Sequence, residues 1–245
     1  MSKKHNNKIS EDTTYFYAPE VVSTGFLPPE ESAHAIRVLR LKEGDRILVT
    51  DGKGFLYESV ILSADSKGTA VAIERTVETF ERTRPAVHLG IAPTKSIDRI
   101  EWMLEKLIEI GLDRISLICT DHTVRRHVNV ERLQKIMISA MKQSRKLVTT
   151  EILWHDSLKD FLTTLPDNAR RYIAHCDESG VRQELREAFV RGEDSVFLIG
   201  PEGDFSPKEV EAAKASDFVP VMLGKERLRT ETAGLYVGFL HHLYN

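Results

Sequence analysis

Two glycine-containing loops near the end of the chain carry the residue types best suited to binding a small polar ligand. The first loop runs from Ile199 to Asp204 with the sequence IGPEGD, and the second runs from Leu223 to Ala233 with the sequence LGKERLRTETA. Each loop follows an apolar, strand-like run and precedes a helix-like segment, so free backbone N–H groups lie beside charged side chains. Because the carboxyl ends of neighbouring strands meet at one edge of an α/β sheet, we expect the two loops to form one ligand site.

The charged residues of the second loop favour a ligand over a purely structural turn. Arg227, Arg229 and Glu231 crowd the start of the last helix, for which Thr230 is the expected N-cap. Arginines are disfavoured beside the positive end of a helix dipole, so two of them there indicate an anion or the polar edge of a ligand. Taken alone, the first loop is equally compatible with a strand-to-helix turn whose glycines only permit tight geometry.

The elements that must position these loops form an alternating pattern. From Val87 onward, strand-like apolar runs alternate with helix-like segments, and the expected strands are 87–92, 115–119, 152–154, 172–174, 196–199 and 219–223. Such alternation predicts an α/β domain with a mostly parallel sheet. The last helix is apolar around its whole circumference and carries Gly234 and Gly238. We therefore expect it to pack closely into the core and against a second subunit.

The first part of the chain follows a different pattern. Between Tyr15 and Val77, short strand-like runs alternate with turns that contain Gly and Asp, and one helix is expected at Pro29–Leu39. This pattern is typical of a small β-rich domain of barrel type. The charged segment Glu78–Pro85 is the expected linker. We therefore predict two domains, 1–80 and 81–245.

Composition excludes several classes of function. The 245 residues include 34 basic and 37 acidic side chains, so any nucleic-acid footprint must be local. No apolar run is long enough to span a bilayer and the N-terminus has no signal-like apolar segment, so we expect a cytoplasmic protein with no membrane partner. The histidines show no metal-binding spacing, so no metal is predicted, and four of them are expected at the surface: His122, His127, His241 and His242. Cys119 and Cys176 are expected to be buried thiols.

The two loops belong to a longer set of motifs that resembles one family. The sequences LIGPEG from Leu198 and LGKERLRTETA from Leu223 are similar to those of the ribosomal RNA small subunit methyltransferase E family. Three further segments agree with it in the same order: HAIRVLR from His34 with Gly44-Asp45 and Asp51-Gly52; Lys95–Gly111 with EIGL from Glu109; and Gln143-Ser144-Arg145. Three positions depart from the pattern. Asp204 stands where a second glycine is common, Lys142 replaces an acidic residue, and Arg227 stands one place later than the usual arginine.

The resemblance implies a fold, a reaction and a cofactor. The implied fold is a SPOUT-type α/β domain with a C-terminal trefoil knot, preceded by a small PUA-like β-barrel domain, in a homodimer. The implied reaction is methylation of N3 of one uridine in the decoding region of 16S rRNA in the small ribosomal subunit, with S-adenosylmethionine as methyl donor. The residues implied to hold the cofactor are Leu198, Ile199, Gly200, Pro201, Glu202, Gly203, Leu223, Gly224, Arg227, Leu228 and Thr232.

Such a reaction needs positioning and charge stabilisation rather than a metal. The N3 proton of uracil must leave, and negative charge then spreads onto the neighbouring carbonyl oxygens. Arg229 is the expected residue that stabilises this charge. Glu231 is the expected general base, or else it holds Arg229 in place. The base must also be unpaired or flipped out to expose N3.

A local basic surface is expected to bind RNA. Five cations between Arg132 and Lys146 share one side of a helix predicted over Val130–Lys146. Taken alone, such a stripe is more often the solvated face of an amphipathic helix, although the separation of the cations from the apolar side is the form that phosphate contacts would take. The predicted RNA-binding residues are Arg37, Arg40, Lys95, Arg99, Arg125, Arg126, Arg132, Lys142 and Arg145.

Two other functions are considered for the same sequence. A nucleotide-binding α/β enzyme would carry a GxGxxG or Walker loop after its first strand, whereas this chain has Ile91-Ala-Pro-Thr-Lys95 there. A catalytically silent RNA-binding or assembly protein would retain the barrel domain, but it would not need the two ligand loops. Binding of S-adenosylmethionine separates this last alternative from an enzyme.

Overall fold

The chain folds into two units, and the computed structural model describes residues 14–176 and 183–245 of it. The first unit contains the described chain up to Glu81 together with Met141–Thr149, and the second contains Arg82–Ala140 and Thr150–Asn245. Leu147 packs against Leu48 and Leu56 in a small apolar cluster of the first unit. No sequence pattern had indicated that this later segment belongs with the N-terminal strands.

The first unit is built on a four-stranded sheet. Its strands are β1 (Tyr15–Tyr17), β2 (Arg46–Thr50), β3 (Phe55–Ser63) and β4 (Ala70–Thr79), in that spatial order. Strand β1 is parallel to β2, and the other two pairs are antiparallel. Two short helices, α1 (Val21–Thr24) and α2 (Pro29–Ala33), precede β2, and α2 continues into a π-helical turn at His34–Val38. The core contains Phe16, Val21, Ile47, Val49 and Ile61.

The second unit has a seven-stranded sheet in which every neighbouring pair is parallel. The strands are β5 (Val87–Ile91), β6 (Arg114–Ile118), β7 (Glu151–His155), β8 (Arg170–Ala174), β9 (Gln183–Glu184), β10 (Ser195–Ile199) and β11 (Val219–Met222). Their spatial order is β7-β6-β5-β10-β8-β11-β9. The parallel α/β sheet and its six predicted strands are confirmed. The two-residue β9 is an addition.

Six helices connect and cover these strands. They are α3 (Ile97–Ile110), α4 (Val130–Gln143), α5 (Leu158–Leu162), α6 (Leu185–Ala188), α7 (Pro207–Lys214) and α8 (Thr230–Tyr244). Helix α7 begins with a capping box, because the Ser206 side chain accepts the Glu209 N–H and the Glu209 carboxylate accepts the Ser206 N–H. No helix within residues 14–176 and 183–245 is long and apolar enough to cross a membrane.

Helix α8 packs into the second unit through its two glycines. A Cβ atom at Gly234 would lie 3.0 Å from the Ile91 side chain and 3.2 Å from the Met103 sulfur. At Gly238 it would lie 3.1 Å from both Leu107 and Leu112. The expected close approach is therefore confirmed. Because these positions carry no side chain, the start of α8 packs directly against β5 and α3.

Four local predictions need correction. Helix α4 ends at Gln143 rather than Lys146, because Arg145 takes a positive φ of 55° and the chain turns away. The N-cap of α8 is Arg229, and Thr230 is the first helical residue. Cys119 is buried as predicted, but Cys176 lies exposed just after the end of β8. His241 is fully buried, since it lies on the core side of α8.

Candidate active site

Three neighbouring strand ends form the first cavity of interest. Strands β10, β8 and β11 are adjacent in the sheet, so the segments that follow them meet at one edge, as the parallel arrangement requires. A cavity of about 540 Å³ lies there, which we call the loop cavity; its walls come from 174–176, 199–204, 221–224, 226–230 and Ala233. The two glycine-containing loops are therefore brought together.

Most residues predicted to hold the cofactor line the loop cavity. These are Ile199, Gly200, Pro201, Glu202, Gly203, Leu223, Gly224, Arg227 and Leu228. The side chain of Leu198 instead lies in the apolar core, and Thr232 lines a neighbouring cavity. The segment Ala174–Cys176 was missed, because a strand end without glycine or charge gives no local signal of a ligand site.

A hydrogen bond between the two loops fixes their separation. The Thr230 hydroxyl is buried and donates to the carbonyl oxygen of Gly200 at 3.0 Å. The Thr230 side chain therefore links the second loop to the first and does not cap α8. In the second loop, Gly224 takes a φ of 118°, a conformation that favours glycine. The Thr230 hydroxyl and Gly224 thus both contribute to the geometry of the cavity.

The side chain of Asp204 connects the first loop to the end of β8. Asp204 takes a positive φ of 62°, which Asp tolerates better than most residues other than Gly. Its carboxylate accepts the Cys176 N–H at 2.7 Å and its own neighbour's N–H, that of Phe205, at 2.8 Å. The departure from glycine at this position therefore adds contacts that glycine cannot make.

The first loop is also held from the opposite side by the segments after β5 and β6. The Glu202 carboxylate accepts the Lys95 N–H at 3.1 Å, and the Lys95 carbonyl accepts two hydrogen bonds from the Arg125 guanidinium at 3.1 and 2.7 Å. The His122 ring nitrogen Nδ1 lies 3.0 Å from the Asp204 carbonyl. A Cβ atom at Gly203 would lie 3.0 Å from the His122 side chain, so this glycine allows the segments to approach.

A second cavity of about 540 Å³ adjoins the first. It is lined by Asp98, Arg99 and Trp102 of α3 and by Arg227, Leu228, Arg229, Glu231 and Thr232, and we call it the α3 cavity. The segment Arg227–Arg229 lines both cavities. Of the two predicted catalytic residues, Arg229 therefore faces both cavities and Glu231 faces the second.

The predicted base has an ion-pair partner that the sequence did not indicate. Glu231 is only 7% exposed, and its Oε1 atom lies 3.4 Å from Nη1 of Arg99. Arg99 had been predicted to belong to the RNA-binding surface. The structure instead places the Arg99 side chain on the wall of the α3 cavity, in contact with the candidate catalytic residue Glu231. The pairing links α3 to α8, more than a hundred residues later, and no sequence spacing could have revealed it.

The predicted RNA-binding residues of the first unit differ in their surroundings. Lys142 is mostly buried, and its ammonium group lies 2.6 and 2.8 Å from the two carboxylate oxygens of Glu31. The Arg37 guanidinium donates to the Ser66 hydroxyl at 3.1 Å, and that of Arg145 lies 5.8 Å from the centre of the Tyr15 ring. Arg40 is exposed. A cation already paired with a carboxylate is less suited to a phosphate, so Lys142 has an evident structural role.

In the second unit, the predicted cations separate into two groups. Lys95, Arg99 and Arg125 lie at or beside the two cavities. Arg132 pairs with Glu101 at 2.5 Å, and the Arg126 guanidinium lies 3.4 Å from the Asp121 carbonyl and 3.5 Å from the Cys119 sulfur. The RNA-binding surface as a whole stays a prediction. Within the described part of the chain, no group of three or more His, Cys, Asp or Glu residues could hold a metal ion.

Comparison with known protein families agrees with this arrangement. Residues 81–241 match the model of an RNA methyltransferase domain, and residues 27–74 match the model of an RNA methyltransferase PUA domain. The first match covers well over half of the chain. The resemblance drawn from the loops is therefore supported independently over residues 81–241.

Individual relatives lead to the same family. A crystal structure of a probable rRNA-methyltransferase from Porphyromonas gingivalis is 43% identical, with a TM-score of 0.86, over 94% of this chain and 98% of that one. The ribosomal RNA small subunit methyltransferase E from Neisseria gonorrhoeae, solved with bound S-adenosyl methionine, is 26% identical, with a TM-score of 0.76, over 93% and 95%. The Bacillus subtilis protein of that name is 28% identical over 89% of this chain and 88% of its own. This chain therefore belongs to the ribosomal RNA small subunit methyltransferase E family of RNA methyltransferases.

Proposed function

We propose that this protein methylates N3 of one uridine in the decoding region of 16S rRNA, with S-adenosylmethionine as methyl donor and the small ribosomal subunit as partner. The observation that carries the proposal is the pair of adjoining cavities that share Arg227–Arg229. Transfer between two bound molecules needs two binding sites that meet at the reacting atoms. Membership of the family supports an rRNA substrate.

The residues of the loop cavity fit S-adenosylmethionine. Its volume of about 540 Å³ lies in the range of small-molecule sites. Apolar side chains from Ile199, Leu223 and Leu228 suit the adenine ring, and the backbone groups of the two glycine-containing loops suit the polar parts of the ligand. The related protein from Neisseria gonorrhoeae was solved with this molecule bound. We therefore assign the predicted cofactor residues to this cavity, with two exceptions: Leu198 supports it from the core, and Thr232 lines the neighbouring α3 cavity.

In the proposed mechanism, this chain's own residues prepare N3 for attack. When bound, the sulfonium of the cofactor supplies a methyl group to the nitrogen lone pair. Glu231 accepts the N3 proton, which leaves negative charge on the uracil carbonyl oxygens. Arg229 stabilises that charge as it develops, from a position that faces both cavities. Arg99 keeps the Glu231 carboxylate in place through their ion pair.

We further propose the finer architecture that accompanies this function in the family: a PUA-like barrel, a C-terminal trefoil knot and a homodimer. The homodimer is supported by α8, which is largely buried yet leaves Phe239 half exposed and Leu243 almost fully exposed. A second subunit would cover these side chains. Modification of 16S rRNA takes place where ribosomes are made, so we propose that the protein acts in the cytoplasm.

The test is nucleoside mass spectrometry of 16S rRNA from small ribosomal subunits of a strain that lacks this activity. The subunits are incubated with the purified protein and S-adenosylmethionine, and the modified oligonucleotide is mapped. We expect one new 3-methyluridine. Cofactor binding without 3-methyluridine would redirect the proposal to another base or RNA. Absence of both would favour the silent RNA-binding protein instead.

A further inference from the structure

An exposed tryptophan stands on the wall of the α3 cavity. Trp102 is 49% exposed, although large aromatic side chains usually bury most of their surface. It lies one turn of α3 after Arg99, so the two side chains occupy the same face of the helix, and both line the cavity. An aromatic surface kept open beside a candidate reaction centre is suited to stacking a flat ring.

The polar groups of the same cavity include both a hydrogen-bond acceptor and donors. The Glu231 carboxylate is an acceptor, and it is paired with the Arg99 guanidinium, which is a donor. Arg229, also a donor, lines the same cavity two residues before Glu231. The lining of the cavity therefore includes a buried acceptor and two donors.

This set of groups matches the pairing edge of uracil, which needs two donors and one acceptor. That edge presents a carbonyl oxygen, the N3–H group and a second carbonyl oxygen, which is acceptor, donor, acceptor. Cytosine instead presents an amino donor, a bare N3 acceptor and a carbonyl acceptor, so it would set its N3 lone pair against the carboxylate. Buried polar groups that lack a complementary partner reject the wrong ligand strongly.

We propose that the α3 cavity receives the flipped target base, which stacks on Trp102 while Arg99, Glu231 and Arg229 recognise its uracil edge. This inference rests on the proposed function and assigns Trp102 and Arg99 to base binding. It places the base next to Arg227–Arg229, the segment that the cavity shares with the loop cavity.

The charges of the cavity favour a polar ring over an apolar protein surface as its occupant. Three arginines and two carboxylates line it, namely Arg99, Arg227, Arg229, Asp98 and Glu231. An apolar surface of a second copy would remove water from these charges without replacing its hydrogen bonds, which is costly. A nucleobase supplies both a flat face for Trp102 and hydrogen-bonding groups for the arginines.

The first test compares Trp102→Ala with Trp102→Phe in the methylation assay on small ribosomal subunits. We expect Trp102→Ala to lower kcat/KM for RNA by about 10- to 100-fold, the size of one lost base stack, and Trp102→Phe to retain most of the activity. Affinity for S-adenosylmethionine, measured by calorimetry, should change in neither variant. Equal activity of Trp102→Ala and wild type would overturn the inference while the proposed function stood.

A loss of activity in Trp102→Ala could also arise if Trp102 contacts a second subunit. Sedimentation velocity distinguishes this explanation from base stacking, because it measures the oligomeric state of the variant. If Trp102→Ala loses activity only because it changes the oligomeric state, the cavity belongs to an interface between copies and the inference fails. If the oligomeric state is unchanged and kcat/KM still falls, base stacking is supported. Loss of activity in both variants together with loss of cofactor affinity would indicate a damaged site and count against the specific role of Trp102.

Fluorescence gives a readout that does not depend on turnover. The chain has two tryptophans, Trp102 and Trp154, and Trp154 lies on β7, away from both cavities. In a Trp154→Phe background the signal comes from Trp102 alone. An RNA oligonucleotide of the mapped target sequence should quench it when S-adenosylhomocysteine is present, and the same oligonucleotide with cytidine at the target should quench it less. Equal quenching by both would contradict recognition of the uracil edge.

Discussion

At the scale of single residues, the proposed reaction depends on a carboxylate that already has an ion-pair partner. Glu231 is buried beside Arg99 at the entrance to α8. Its conversion to Gln keeps the size and removes the ability to accept a proton. We expect Glu231→Gln to lower kcat by about 100-fold or more while affinity for S-adenosylmethionine stays unchanged, as measured by single-turnover methylation and calorimetry. A kcat close to wild type would exclude Glu231 as the base.

Asp204 tests whether the departure from glycine has a function. Asp204→Gly keeps the left-handed backbone but removes the hydrogen bond to the Cys176 N–H, whereas Asp204→Ala removes this bond and adds backbone strain. We expect affinity for S-adenosylmethionine to fall about 10-fold in Asp204→Gly and further in Asp204→Ala, since a hydrogen bond to a charged group contributes about 1.5–3 kcal/mol. Calorimetric titration measures both. Wild-type affinity in Asp204→Gly would mean that only the backbone conformation matters.

The residues of the site that could be predicted are those with a local signal. The glycines, the capping box after Asp204 and the arginines before α8 all mark ligand loops within a few positions. Trp102 and Arg99 have no such signal, because the role proposed for them follows from the packing of α3 against α8. The contribution of Thr230 was misassigned for the same reason: its partner, the Gly200 carbonyl, lies in the other loop.

At the scale of elements, strand β5 shows how closely the second unit is packed. A Cβ atom at Gly90 would lie 2.7 Å from the Phe161 ring and 2.8 Å from Ile118, and Phe161 is fully buried. We expect Gly90→Ala to lower the free energy of unfolding by about 1–3 kcal/mol, measured by urea denaturation. Gly68→Ala is the control, since its nearest neighbour would lie 4.0 Å away. If both substitutions have the same small effect, the packing around Gly90 is more adaptable than the distances indicate.

Most helices and strands could be predicted from the sequence, but which strands lie next to each other in the sheet could not. Buried parallel strands are mostly apolar runs, so β5, β6 and β10 stand out in the sequence. Spatial order is decided by contacts between distant segments, and nothing local places β10 between β5 and β8. The two residues of β9 are too few for any periodicity. Helix α4 was extended too far because its basic pattern continues past Gln143, where the backbone turns.

At the scale of the whole molecule, two buried histidines connect stability to pH. His88 and His241 lie in the second unit, and both are almost inaccessible to solvent. Burial lowers the pKa of His88 from 6.5 to about 3 and that of His241 from 6.5 to about 4, with smaller contributions from nearby positive groups. Burial disfavours the charged imidazolium, whereas the unfolded chain leaves both rings free to bind a proton.

The direction of the pH dependence follows from this difference. Well above pH 6.5 both rings are neutral in the folded and the unfolded chain, so they do not make the free energy of unfolding depend on pH. Below pH 6.5 the unfolded chain binds more protons, and stability falls as the pH approaches the folded values of about 3 and 4. Each histidine should contribute a slope that approaches about 1.4 kcal/mol per pH unit.

His241 provides the sharper test, because neither of its ring nitrogens has a hydrogen-bond partner within the described residues. His241→Leu removes the titrating group from an apolar contact with Phe189 without breaking a hydrogen bond. Between pH 7 and pH 5, we expect the stability of this variant to fall less steeply than that of the wild type, by up to about 1.4 kcal/mol per pH unit. Urea denaturation across this range measures the slopes.

The exposed neighbour His242 is the control, and His242→Leu should keep the wild-type slope. Parallel curves for wild type and His241→Leu would show that His241 does not cause the loss of stability in acid.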